Sequence, residues 1–504
     1  MNLLKATTSL CPICLRQVPA TVVQVEQEIH LHRVCPIHGR FAAVINSDAR
    51  HYYLSLGASH VLEPSPEVSP SMSCGSQLSN SEQEFGANES STLRFPTLPV
   101  IASDAVSWEA EAIVTVETAA ADESTACCSA LTGSSCGGVE NLSTCVALIE
   151  IVQSCNLECP VCFADSPRSS TVDALPFVEF CQRVSAVTRR KGRIDILQLS
   201  GGEPTIHPEF FRLLNWALAN PDVGHVLLNT NGIKVTNERF FQQVAELRAQ
   251  HGKLEIYLQY DGPQAAGQIT MRGVDLRHVR YSVIQKCQEA HIPVNLAMTV
   301  DLHNRGYLGE ALQVAIDHPW VSGITWQPMF GSGRVYQGFN TKSSPEAKDV
   351  TQWPDTRRLN VADIIAAAVE QSAGRLSIAD FTPLPCGDPN CHTVAYLLRQ
   401  GQQLVGLSAL VDLPDLQGFL RDRLNYNLSD LQRCGCESEP LGRLLQQLEL
   451  GPRQVLRLVI KPFMDAWTYD QHRVDRCCVH VIGAEGRLES FCRHYVLAGQ
   501  SANR

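Results

Sequence analysis

Apolar positions set the reading of this chain from about residue 145 onward, where short apolar runs alternate with stretches of helical spacing. The runs VALIEIV, RIDILQLS, HVLLNT, LEIYLQY, PVNLAMTV and GITWQPMF have the length and composition of buried strands. Between them, ALPFVEFCQRVSAVTRR, PEFFRLLNWALAN, NERFFQQVAELRAQ, VRYSVIQKCQEA and LGEALQVAID repeat apolar residues at three- and four-residue intervals, as helices with one buried face do. Strands alternating with helices predict parallel βα units. The fold class is therefore α/β, and six such units fit a partial (β/α)6 barrel better than a complete one. Chemistry in such a barrel gathers at the strand ends and the loops after them.

The flanks read differently. Residues 1–60 form a small module in which TVVQVEQEIHLHRVC predicts a hairpin between two ligand-bearing turns. Residues 61–125, with PSPEVSPSMSCGSQLSNSEQEFGANESS, are rich in Ser, Pro and Glu and read as a flexible insertion. Residues 126–145 are a cysteine-rich segment, 146–375 the barrel, and 376–504 a cysteine-bearing C-terminal region. The apolar stripe of LPDLQGFLRDRLNYNLSDL in that last region reads as core.

A length of 504 residues calls for more than one compact unit. The net charge of −11 argues against nucleic acid as a partner. No apolar run reaches the length of a membrane span, and MNLLKATTSLCPIC lacks the apolar core of a secretion signal. Twenty cysteines in such a chain point to metal ligation in a reducing cytoplasm rather than to disulfides.

Their spacing divides them into groups. Cys155, Cys159 and Cys162 lie in SCNLECPVCF, directly after the first barrel strand. Three thiolates in one tight loop hold three irons of a cubane cluster and leave the fourth open to a ligand. A zinc knuckle short of one ligand is the competing reading. Polar groups at successive strand ends weigh against it: Gly201, Gly202 and Glu203, then Asn229 with Thr230 and Asn231, then Gln259 and Asp261. The glycines permit close backbone approach to a ligand, and Glu203 offers a carboxylate to a cationic amino group. Cys11, Cys14, Cys35 and His38 have the spacing C-x2-C-x20-C-x2-H, that of a tetrahedral mononuclear site for zinc or iron. Cys127, Cys128, Cys136 and Cys145 are ligands of a second cluster or else free thiols. Cys386, Cys391, Cys492 and one or both of Cys477 and Cys478 suit a third. Cys434 and Cys436 read as a local thiol pair, and Cys74, Cys181 and Cys287 as non-ligands.

With these motifs in place, residues 146–330 resemble the radical S-adenosylmethionine (SAM) superfamily. The resemblance implies a [4Fe-4S] cluster on Cys155, Cys159 and Cys162, with SAM on its open iron. Gly201, Gly202 and Glu203 would then carry the amino-group contact, Phe163 would lie near the adenine, and Asn229 and Gln259 would add further SAM contacts. The implied chemistry is one-electron cleavage of SAM, fed by a donor such as ferredoxin or flavodoxin. The resulting 5′-deoxyadenosyl radical attacks an unactivated carbon.

A narrower resemblance covers nearly all of the chain outside about 60–125. KATTSLCPICLRQVPA, VCPIHGRF, SDARHY, CVALIEIVQSCNLECPVCFADS, QPMFGSGR and PLPCGDPNC are similar to the family of archaeal tetraether lipid synthase and its methylase-like relatives. CCSALTGSSCGGVENLSTC departs from that family's compact CGLC-type segment. The family implies one or two auxiliary iron–sulfur clusters and a mononuclear metal. It also implies carbon–carbon bond formation on a lipid-like substrate, with peripheral membrane contact and no transmembrane segment. Radical methylation from a folate-type one-carbon carrier stands beside that expectation. A peptide-modifying maturase and a non-catalytic metal scaffold are the remaining readings.

Overall fold

The computed structural model describes residues 1–55, 144–336, 358–384, 387–400, 403–409 and 454–498. Met1–Leu62 and Gly137–Arg504 group into one compact unit and Glu63–Cys136 into another. The second lies outside the described residues, as do Cys74, Cys127, Cys128, Cys136, Cys386, Cys434 and Cys436.

At the N-terminus, period-two alternation gives an antiparallel meander of β1 (Asn2–Leu10), β2 (Gln17–Val25), β3 (Glu28–Cys35) and β4 (Gly39–Asn46). The expected hairpin is β2–β3, with Val25 opposite Glu28 across a two-residue turn whose Glu26 has a positive φ. Ala20, Val22, Ile29 and Leu31 share the buried face, packed against Tyr52 of helix α1 (Ala49–Ser55). The other two turns carry the cysteines of this module.

The barrel follows the alternation of the sequence. Its elements are β5 (Val146–Val152), α2 (Phe177–Lys191), β6 (Ile194–Gly201), α3 (Phe210–Ala219), β7 (Val223–Thr230), α4 (Glu238–His251) and β8 (Leu254–Gln259). Helices α5 (Ala265–Arg272) and α6 (Arg277–Glu289), β9 (Val294–Val300), α7 (Leu308–Asp317) and β10 (Val321–Pro328) complete it. Strands β5 to β10 pair in parallel, each with its neighbour in sequence. On α3, Phe210, Leu213, Leu214, Ala217 and Leu218 form the buried stripe, facing a core shared with Phe180 and Val184 of α2. Each such side chain contributes roughly 1.5–3 kcal/mol by leaving water.

The sheet is wider than the six strands expected. After α8 (Val361–Gln371) come β11 (Thr382–Pro383), β12 (Thr393–Gln400), β13 (Gln403–Gly406), β14 (Val455–Ile460), β15 (Val479–Ile482) and β16 (Leu488–Ser490). Strand β14 adds in parallel to β10, and β15 in parallel to β5, so eight parallel strands lie side by side. Both come from the stretch read as a C-terminal region, where runs of six and four residues were too short to stand out. Among the described residues β14 and β15 do not pair with each other, and the barrel stays open.

The N-terminal module docks on the segment between those two strands. Lys5 pairs with Asp470 at 2.7 Å, and Thr7 donates to the same carboxylate. The buried Arg33 lies against the Trp467 ring and donates to the Ala466 carbonyl. Asp465 in turn pairs with Arg358 and accepts from the backbone N–H of Gly331, just after β10.

Candidate active site

The loop after β5 carries Cys155, Cys159 and Cys162. Cys162 and Arg334 exchange two backbone hydrogen bonds of 2.9 Å, and Arg334 Nε donates to the Cys159 carbonyl. The Cys155 N–H is bound by the Pro167 carbonyl, while the Leu157 N–H donates to Cys155 Sγ at 3.4 Å. The three cysteines line one cavity together with Phe163, Gly201, Gly202, Glu203, Asn229 and Gln259, so every residue expected around SAM borders the same space. Burial pushes the Cys155 thiol up to about 12. Metal coordination reverses such a shift, because a bound thiol ionises.

The glycine pair also packs closely against protein backbone. A Cβ on Gly201 would fall 2.0 Å from the Val152 carbonyl oxygen, and one on Gly202 would fall 2.0 Å from that of Ser154. The end of β6 thus abuts the backbone leading into Cys155, with Gly202 N–H on Val152 O and Glu203 N–H on Ser154 O. Glu203 is almost wholly buried. Its Oε1 accepts from Thr205 N–H, Thr205 Oγ1 and Thr230 Oγ1, and its Oε2 accepts from Asn231 N–H at 2.7 Å. The carboxylate laces the end of β6 to the end of β7, and Asn231 continues the lacing to Asn156 of the cysteine loop at 2.7 Å.

Sequence reasoning missed Arg272. It sits at the end of α5, where a helical arginine normally reads as a solvated charge. Here it forms a two-pronged ion pair with the buried Asp261 and donates to the Val161 carbonyl. The same guanidinium lies close to Cys159: burial pushes that thiol up and the charge of Arg272 pulls against it. The only hint in the sequence was Asp261 at a strand end.

A second cavity of about 110 Å³ runs through the sheet's interior, sharing Phe163, Asn229, Gln259 and Gln327 with the first. Its lining includes the apolar side chains of Val146, Leu148, Ile196, Leu227, Val459 and Val479. Interspersed with them are the polar ones of Gln198, Tyr257, Asn295, Thr325, His392 and Lys461, with Glu255 and Arg457. Most of these polar groups are already paired: Gln327 with Tyr257, Thr325 with Asn295, and Glu255 with Arg457, His225 and Ser322. Phe163, Phe330, Phe463, Phe491 and Tyr495 pack edge and face where the two cavities meet.

Two further cysteine groups assemble. Cys11, Cys14, Cys35 and His38 bring their ligand atoms within 4.8 Å of one another. The Cys14–Cys35 sulfur separation is 4.0 Å and the two Cys–His38 separations are 3.5 and 3.6 Å. Tetrahedral zinc with bonds of about 2.3 Å places sulfurs about 3.8 Å apart, so this donor set fits one. Near β14 and β15, Cys391, Cys477, Cys478 and Cys492 all lie close enough to the buried Lys461 to act on its charge. Arg473 donates to Cys391 Sγ at 3.5 Å, Met464 N–H to Cys492 Sγ at 3.3 Å and Val479 N–H to Cys477 Sγ at 3.4 Å. Such N–H···S contacts accompany iron–sulfur ligation. Cys145 is buried beside them, its N–H on the Cys478 carbonyl.

Comparison with known proteins fits both ends of this arrangement. Residues 3–47 match the HMPTM N-terminal zinc ribbon domain, and residues 149–314 match the radical SAM superfamily. The chain carries a radical SAM domain. Such a domain implies SAM, a [4Fe-4S] cluster and a reductant. A 7,8-dihydro-6-hydroxymethylpterin dimethyltransferase of Methanocaldococcus jannaschii is 24% identical, over 98% of this chain and 94% of its own. A pre-heme d1 synthase of Dinoroseobacter shibae is 26% identical, over 46% of this chain and 52% of its own. Streptococcus suis SuiB bound to precursor peptide SuiA superposes on 37% of this radical SAM chain and 40% of its own, with a TM-score of 0.32 and 15% identity. Among the described residues no helix is long and apolar enough to cross a membrane.

Proposed function

We propose that this enzyme forms a carbon–carbon bond at an unactivated carbon, as a radical methyltransferase acting on a pterin-like nitrogen heterocycle and drawing on a folate-type one-carbon carrier. The observation that carries the reading is the set of polar side chains lining the second cavity, which meets the cysteine-loop cavity at Asn229, Gln259 and Gln327. A hydrogen-bonding ring suits that lining, because the buried His392 within it has no partner of its own. The name of the Methanocaldococcus jannaschii relative, matched over nearly both whole chains, points the same way.

In this reading Cys155, Cys159 and Cys162 hold the cluster, and Phe163, Gly201, Gly202, Glu203, Asn229 and Gln259 enclose SAM. When bound, the cluster and SAM supply a 5′-deoxyadenosyl radical by one-electron cleavage. The chain's own part is placement. Gly201, Gly202 and Glu203 fix the cysteine loop against β6 and β7. Arg272, locked by Asp261, sets a positive charge beside Cys159. The aromatic group around Phe163 keeps water from the junction of the two cavities. Cys391, Cys477, Cys478 and Cys492 hold an auxiliary cluster, and Cys11, Cys14, Cys35 and His38 hold zinc. The enzyme works in the cytoplasm, with ferredoxin or flavodoxin as electron donor.

Coupling of lipid chains is the second reading, favoured by the apolar side chains of Val146, Leu148, Ile196, Leu227, Val459 and Val479 in the same lining. Anaerobically reconstituted enzyme given SAM, dithionite and methylenetetrahydrofolate separates the two. With a dihydropterin present, 5′-deoxyadenosine and a pterin one methylene heavier are expected. Mass-shifted lipids from an extract, with the pterin unchanged, would overturn the first reading in favour of the second. Cys159→Ala is expected to abolish 5′-deoxyadenosine, and wild-type release from that variant would remove the cluster assignment.

A further inference from the structure

Among the described residues lining the inner cavity, His392 is the one buried side chain whose polar atoms have no hydrogen-bond partner. It is 3% exposed, and both Nδ1 and Nε2 are unmet. Its neighbours on the wall are satisfied: Asn229 by Ser200, Gln259 by Asp261, Tyr257 by Gln327 and Glu255 by three separate donors. An imidazole is both a donor and an acceptor, and leaving both functions buried and unmet costs stability. Folded chains keep such a group chiefly where something else completes it.

The surroundings define what completes it. His392 directly precedes β12, whose edge lies against β14, and it borders the cavity beside Lys461. The Lys461 ammonium rests over the Phe463 ring, and no carboxylate pairs with it among the described residues. It also lies within electrostatic reach of the four cysteines of the C-terminal group. A strongly anionic ligand would therefore meet the thiolates' field across a single lysine. A neutral group with both an acceptor and a donor fits better.

We propose that His392 is the polar docking point for the substrate in the inner cavity, taking the donor–acceptor edge of a neutral nitrogen heterocycle, a ring N–H beside a ring carbonyl. This rests on the heterocycle reading of the function and deepens it. Docking at His392 would orient the ring so that its far side faces the shared residues Asn229, Gln259 and Gln327 and, beyond them, the cysteine loop.

The test pairs His392→Leu with His392→Asn in the reconstituted, SAM-bound enzyme, reading dihydropterin affinity by fluorescence and thermal midpoint without substrate. Leucine fills the space with no polar atoms. It should raise the midpoint of the substrate-free enzyme by a few degrees, because a buried orphan group is gone. It should also weaken dihydropterin binding about tenfold or more. Asparagine, with one donor and one acceptor, should recover most of the affinity. A merely structural histidine predicts the opposite stability change, so a lowered midpoint or loss of iron in His392→Leu overturns the proposal. Wild-type affinity in His392→Leu overturns it as well. Wild-type enzyme that ignores the dihydropterin overturns the proposed function instead, while the midpoint comparison still decides whether His392 is held for a ligand.

Discussion

Arg272 Nε lies 2.6 Å from Asp261 Oδ2 and its Nη2 lies 2.8 Å from Oδ1, a two-pronged pair almost wholly out of water and close to Cys159. Breaking a buried pair from one side leaves an uncompensated charge and costs roughly 3–5 kcal/mol. Asp261 has a positive φ, a conformation that asparagine tolerates, so Asp261→Asn removes the charge without straining the backbone. Denaturant unfolding of Asp261→Asn is expected to show a loss of about 3 kcal/mol. Its SAM cleavage should fall with it, because Arg272 is no longer fixed beside Cys159.

Gly202 makes a steric prediction. An added methyl lands on the Ser154 carbonyl at 2.0 Å, so Gly202→Ala must displace the loop that begins at Cys155. Iron incorporation at the cysteine loop should drop severely while metal in the N-terminal module stays at wild-type content. Gly252→Ala is the control: it has positive φ but nothing within 4 Å, so only strain of about 1 kcal/mol is expected, with iron content retained. Metal analysis of the two variants decides the matter.

The N-terminal site is expected to behave as a separate structural module. Cys14→Ala should lower its metal content and the melting midpoint, since Arg33 and Lys5 then dock a loosened ribbon on Trp467 and Asp470. The absorbance of the cluster on Cys155, Cys159 and Cys162 should persist. Its loss would mean that the two sites assemble together.

Glu255 sets an acid limit. Burial alone would push its carboxyl up, but Arg457 and His225 outweigh that and hold it down to about 2. Because the folded value lies below the unfolded one, the stability it contributes is present above about pH 4.5 and is lost as pH falls toward 2. The stability-versus-pH curve of Glu255→Gln should be flatter by about one proton across that window, whatever its offset from wild type.

What the sequence disclosed followed from how local each signal was. The six βα units, the cysteine loop and the metal-bearing hairpin module are written in local runs of regular periodicity or spacing. Arg272 was hidden because its role depends on Asp261, and a charged residue at a helix end looks alike whether it faces water or a buried carboxylate. The glycines after β6 were placed correctly, but the surface they approach is the cysteine loop's own backbone, a contact between chain segments. His392 was passed over for the same reason: that it lacks a partner becomes apparent only once everything around it is in position. Strands β14 and β15 were too short to announce themselves, and they join the sheet through pairings distant in sequence.

Those last pairings bear on the order of assembly. Val146 opens the barrel and Val479 lies beside it, so the outer edge of β5 stays bare during synthesis until the residues around Val479 have emerged. The β10 edge likewise waits for β14. An unfinished chain would thus present two unpaired parallel edges around an empty core, a state inclined to stick to its neighbours. In a cell, yield of this enzyme should depend more on how quickly the final strands arrive, and on what shields the edges meanwhile, than on the stability of the finished fold.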